Sequence, residues 1–100
     1  MKVKFHSVNF TADIKLLDFI QRKLDKIHVF YDKVVSINVY LKVESSSDKI
    51  NKLSEIKLNI PGKDLIVKKT SNSFEGSIVQ CVEVLTRSLL RHKDKMNELV

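Results

Sequence analysis

Arg87, Arg91 and Lys95 follow one another at intervals of four, and Lys15, Arg22 and Lys26 fall within one stripe of an earlier helical segment. A helix turns about 100° per residue, so each set gathers its cations along one side of a rod. Lys23 flanks the earlier set and Lys33 follows it, while His92 and Lys93 complete Arg91-His92-Lys93-Asp94-Lys95, the densest basic cluster in the chain. Rows of guanidinium and ammonium groups are suited to neutralising phosphates. Complementing a helix dipole accounts for one or two cations in a last turn, not for a series spread over three turns. Asp18 and Asp25 are interspersed in the earlier helix, and aromatic residues do not alternate with the cations. The pattern therefore predicts a surface that reads nucleic-acid backbone and shape, not a platform on which bases stack.

Other chemistries find little support. His6, His28 and His92 have no mutual metal-ligand spacing. His92 falls near an apolar stripe and is expected to be partly buried at a helix end. Cys81 lies inside that stripe and reads as a small buried hydrophobe, not as a reactive thiol. Ser45 to Ser47 have no motif partner that could activate a nucleophile. Two isolated glycines cannot build a phosphate-cradling loop, and one cysteine forms neither an internal disulfide nor a multi-cysteine zinc site. No metal, cofactor or catalytic constellation is predicted, and an enzyme is the least supported class.

The elements that must carry these side chains follow from periodicity. Val3 and Phe5 alternate with Lys2, Lys4 and His6, a short strand. Thr11 offers a helix cap with Asp13 in the first turn, and Ile14, Leu17, Ile20, Leu24 and Ile27 make an apolar stripe running to about Phe30. Val35, Ile37, Val39, Leu41 and Val43 then alternate with Ser36, Asn38, Tyr40, Lys42 and Glu44, and Ile56, Leu58 and Ile60 with Glu55, Lys57 and Asn59. Between these runs Ser45 to Lys52 reads as a hairpin loop. Pro61-Gly62-Lys63-Asp64 is a turn into a strand at Leu65 to Val67. Asn72 and Glu75 resemble a capping box, opening a helix with its stripe at Phe74, Ile78, Cys81, Val82, Leu85, Leu89 and Met96. The order β-α-β-β-β-α predicts an α+β fold: a four-stranded sheet, three of its strands an antiparallel meander, with two helices packed on one face. The opposite face, carrying Tyr40, Lys42, Lys57 and Asn59, is expected to stay wet.

With 100 residues, the chain is expected to form a single domain spanning 1–100. Its 18 Lys plus Arg exceed its 12 Asp plus Glu, a net charge of +6, and each half holds nine basic and six acidic residues. The excess is thus spread along the chain and collected by the fold. No apolar run reaches the roughly 18 residues of a membrane span, and the first residues lack the apolar segment of a secretory signal, so a cytoplasmic location is expected.

Leu41-Lys42-Val43-Glu44, Pro61-Gly62 before a short strand, and Leu89-Leu90-Arg91-His92-Lys93-Asp94-Lys95 resemble the hibernation-promoting factor family of small ribosome-associated translation inhibitors, in its short form. Phe19, Lys23, Lys26 and the Tyr31-Asp32-Lys33 turn extend the resemblance over nearly the whole chain. The resemblance implies the same fold. It also implies binding to the small ribosomal subunit and its rRNA, in the channel for mRNA and tRNA. Occupancy there, by the same resemblance, would block translation and preserve ribosomes in starved or stationary cells. It assigns RNA contact to Lys23, Lys26, Arg87, Arg91, His92, Lys93 and Lys95, and the charge geometry adds Arg22 and Lys33. The chain departs from the family at Glu75 and Val79, where the family commonly has Tyr and Asp, and at Val84, a basic position. It also lacks the long form's dimerisation domain, so pairing of ribosomes is expected to need a separate factor. From the residues alone, a double-stranded-RNA-binding module and a basic protein-interaction domain remain alternatives.

Overall fold

The computed structural model describes residues 2–45 and 49–98; of the side chains in that range, those of 2, 30, 50 and 96–98 are not described. The elements are β1 (Lys2–Val8), α1 (Ile14–Phe30), β2 (Ser36–Ser45), β3 (Ile50–Ile60), β4 (Lys63–Ser71) and α2 (Phe74–Glu98), the predicted order. They form a four-stranded sheet ordered β1-β2-β3-β4. The β2–β3 and β3–β4 pairs are antiparallel, as a meander requires, whereas β1 lies parallel to β2. Parallel neighbours need a crossover, and α1 supplies it.

Alternation decides which face is covered. Ile37, Val39 and Leu41 of β2 stand opposite Leu58, Ile56 and Ser54 of β3, all buried, and Val67 of β4 continues the row. Leu16, Ile20, Leu24 and Ile27 of α1 and Phe74, Ile78, Cys81, Leu85 and Leu89 of α2 join them in one core cluster. Both helices therefore press on the same face. The buried hydroxyls Ser54 and Ser77 face each other across this interface at 2.6 Å. Ser77 Oγ also lies 3.2 Å from the Phe74 carbonyl, and Cys81 Sγ 3.4 Å from the Ser54 carbonyl. Burial pushes the Cys81 thiol up from 9.0 to about 11, so it is an inert neutral group at physiological pH.

The helix starts differ from the sequence reading by one or two residues. Asp13, not Thr11, caps α1: its carboxylate accepts from the Leu16 N–H at 2.9 Å. Ser73, not Asn72, caps α2, accepting from the Gly76 N–H at 3.0 Å. In both cases an acceptor side chain sits one residue before the apolar stripe, and the backbone selects by geometry. Gly62, at φ 83, turns β3 into β4 after Pro61. Of the loop expected at Ser45 to Lys52, Ile50 onward is already strand, paired with Ser45, and 46–48 lie outside the described residues, as does the Met96 side chain.

The open sheet face meets solvent, and its side chains partly cover one another. Tyr40, Lys42, Lys57 and Asn59 are each half-buried. His6 stacks on Tyr40 at 4.6 Å between ring centroids, Lys42 pairs with Glu44 and Lys57 with Asp64, and Asn59 donates to Ser36. Leu53, on this face between Lys42 and Thr70, is buried outside the main cluster. Neighbouring side chains on a pleated surface cover one another, which periodicity along a single strand does not reveal.

Candidate nucleic-acid interface

The two helices display the cations, and the helical turn decides how they group. On α1, Phe19, Lys23 and Lys26 lie on the flank toward α2, with Arg22 just above them. Lys23 and Lys26 line a groove between the helices, facing Val79, Val82, Glu83 and Thr86. Asp18 and Asp25 lie on the far flank, where Asp25 accepts from Gln21 at 2.9 Å. Asp18 and Asp25 remain neighbours of Arg22 at spacings of four and three, so the outer side of α1 keeps the mixed charge seen along the sequence while Lys23 and Lys26 turn toward α2.

On α2, Arg87 points outward, Arg91 and Lys95 turn progressively toward β4, and Lys93 turns toward α1. Arg91, His92 and Lys95 border a recess with Ser88, Leu65 and Lys63. Lys63 went unnoticed in the sequence because it belongs to the β3–β4 turn and reaches this group only through the fold. His92 is half-buried, its ring edge-on to Tyr31 at 6.0 Å, tying the end of α1 to the late turns of α2. Lys33 is exposed beyond α1 and lines neither recess. The structure therefore makes two cationic groups, one around Arg22, Lys23 and Lys26 and one around Arg91, His92, Lys95 and Lys63, with Arg87 and Lys33 separate.

No carboxylate among the described residues forms an ion pair with Arg22, Lys26, Arg87, Arg91 or Lys95. These groups are exposed, so a phosphate meets them without displacing an internal partner. Lys23 instead sits 5.5 Å from the centre of the Phe19 ring. That contact corrects the expectation of a surface without aromatic interleaving. Phe19 shares a small recess with Arg22, Lys23 and Lys26, and Phe10 stacks on Phe74 at 4.8 Å nearby. The three rings come from three separate segments, so no local spacing announces them.

The departures from the resembled family also find places. Val79 contributes to the apolar side of the interhelical groove, and Glu75 borders the Phe10–Phe19 recess. Val84 is half-buried. Among the described residues, no group of three or more His, Cys, Asp or Glu could hold a metal ion, and no helix is long and apolar enough to cross a membrane.

The chain is similar along its length to proteins with this architecture. A ribosome hibernation promoting factor of Klebsiella oxytoca is 24% identical over 98 residues, 98% of this chain and 97% of that protein. One of Pseudomonas putida is 26% identical over 100 residues, covering 100% and 94%. A ribosomal subunit interface protein from Coxiella burnetii superposes with a TM-score of 0.84 at 16% identity, over 94% of this chain and 99% of that one. The N-terminal domain of Thermus thermophilus Protein Y does so with a TM-score of 0.81 at 19% identity, over 92% and 99%. The family model for Sigma 54 modulation protein / S30EA ribosomal protein matches residues 3–97, and the chain belongs to that family.

Proposed function

We propose that this protein is a ribosome hibernation factor. It binds the small ribosomal subunit through rRNA, in the channel that otherwise holds mRNA and tRNA, and so stops translation and preserves idle ribosomes in the cytoplasm of starved or stationary cells. The observation that carries the reading is the set of exposed cations Arg22, Lys26, Arg87, Arg91 and Lys95 on α1 and α2, which have no ion-pair partner among the described residues, in a chain whose family match runs from residue 3 to 97. Exposed cations without carboxylate partners bind phosphate at little desolvation cost and release counterions on contact. Arg22, Lys23, Lys26 and Lys33 serve on the first side and Arg87, Arg91, His92, Lys93 and Lys95 on the second. The relatives' names add support, since those proteins are called ribosome hibernation promoting factors. No chemistry is performed: the protein acts by occupancy. Sedimentation of a stationary-phase lysate at low salt tests this. The protein should travel with small subunits or whole ribosomes and leave them on nuclease treatment. Its retention in the soluble fraction, or tighter binding to a free RNA duplex of about 16 base pairs than to the subunit, would sink the reading.

A further inference from the structure

A recess of about 560 Å³ opens between the β1–α1 loop and the first turns of both helices. Its size falls within the roughly 300–1,000 Å³ of sites that enclose a small molecule. Phe10 and Phe19, both half-buried, wall it. Asn9 holds φ 70, a left-handed turn that Asn tolerates, and so bends the chain after β1 just before Phe10 stacks on Phe74. Lys15 and Arg22 stand at one side, and Arg22 also borders the adjoining recess with Lys23 and Lys26. The site is therefore continuous with the cationic face. Two carboxylates complete it. Asp13 is engaged in capping α1, whereas Glu75 is exposed and has no ion-pair partner among the described residues.

Aromatic walls, cations on one side and an uncommitted carboxylate on the other match one kind of occupant. We infer that the recess holds a single unstacked nucleotide of a bound RNA strand, and that it prefers guanine. This deepens the ribosome-binding reading and rests on it. Phe10 and Phe19 pack on the base, Arg22 and Lys15 meet its phosphate, and Glu75 accepts from its edge. Guanine offers a carboxylate two adjacent donors, N1–H and the exocyclic amine, so both carboxylate oxygens are used. Adenine and cytosine offer one amine beside an acceptor, and uracil one N–H between two carbonyls.

The test uses the full chain and uridine hexamers carrying one central guanine, adenine, cytosine or uracil, with binding read by fluorescence anisotropy. The guanine hexamer should bind several-fold more tightly than the all-uracil one. Glu75→Ala should erase that preference, so that the four hexamers bind with equal affinity. Phe19→Leu, which keeps an apolar side chain, should weaken every hexamer by at least about fivefold, the low end of base–aromatic stacking. Thermal melting monitors folding of each variant. Equal affinity for all four hexamers, or a preference that survives Glu75→Ala, overturns the proposal. So does competition by guanosine monophosphate as effective as by the hexamer, since the occupant is then a free nucleotide. Parallel binding to purified small subunits separates the two readings. Subunit binding without hexamer discrimination defeats only the recess, and hexamer discrimination without subunit binding defeats only the ribosome as partner.

Discussion

Replacing Arg87, Arg91 and Lys95 together by Gln should change how binding depends on salt more than it changes the protein itself. The three side chains are exposed on α2 and engage no carboxylate among the described residues. If each meets one phosphate, the slope of log K against log salt loses about 0.7 to 0.9 per residue, about 2 to 3 in all. Between about 50 and 200 mM salt each contact is then worth about a threefold loss of affinity, and the three together about 20- to 40-fold. The wild type should lose that much more affinity over this range than the triple variant. Small-subunit binding titrated across the range, with a labelled protein, measures both slopes. Folding should survive, because removing like charges spaced by four relieves a repulsion of about 0.2–0.5 kcal/mol per pair. Lys4→Gln with Lys68→Gln, on the open sheet face, provides the control and should leave the slope unchanged. An unaltered slope in the triple variant, or an altered one in the control, would falsify the assignment of the helices as the phosphate-facing side.

The buried hydroxyl pair predicts an asymmetry. Ser54→Ala leaves Ser77 bonded to the Phe74 carbonyl and should cost about 1 kcal/mol, whereas Ser77→Ala strands the Ser54 hydroxyl and should cost about 1–3 kcal/mol; equal losses in urea denaturation would contradict this. Cys81, with its pKa raised from 9.0 to about 11, contributes stability that is fully present below about pH 9 and is lost as pH rises through about 11. The loss should total roughly 2–3 kcal/mol, and Cys81→Ala should lack that share of the alkaline decline. Gly62→Ala places a side chain at φ 83 and should destabilise by about 1–2 kcal/mol, seen as a lower melting temperature.

The fold was legible where one element carries its own signal. The alternation from Val35 to Glu44 and the stripe from Phe74 to Leu89 each reveal a buried face without reference to any neighbour. Features requiring two elements were less accessible. The parallel seating of β1 depends on how α1 crosses back, and nothing in Val3 to Phe5 encodes it. The caps slipped because Thr11, Asp13, Asn72 and Ser73 all have acceptor side chains, and only backbone geometry chooses among them. The same division runs through the interface. Helical angles located the cations on each rod, but the grouping of Lys63 with Arg91 and Lys95, and of Phe10 with Phe74, joins residues far apart in sequence.

Helix α2 continues past its last described core residue. Leu89 is the last of its side chains in the core cluster, and from Leu90 to Lys95 only His92, edge-on to Tyr31, is more than a surface residue. The densest positive charge therefore lies beyond Leu89, where mutual repulsion between Arg87, Arg91 and Lys95 works against the helix. A polyanion that neutralises these groups removes the repulsion and stiffens the overhang in the same act. This stretch thus serves as its own gauge of occupancy: amide exchange at 91–95 should slow on binding far more than exchange under the sheet, where packing already sets the rate.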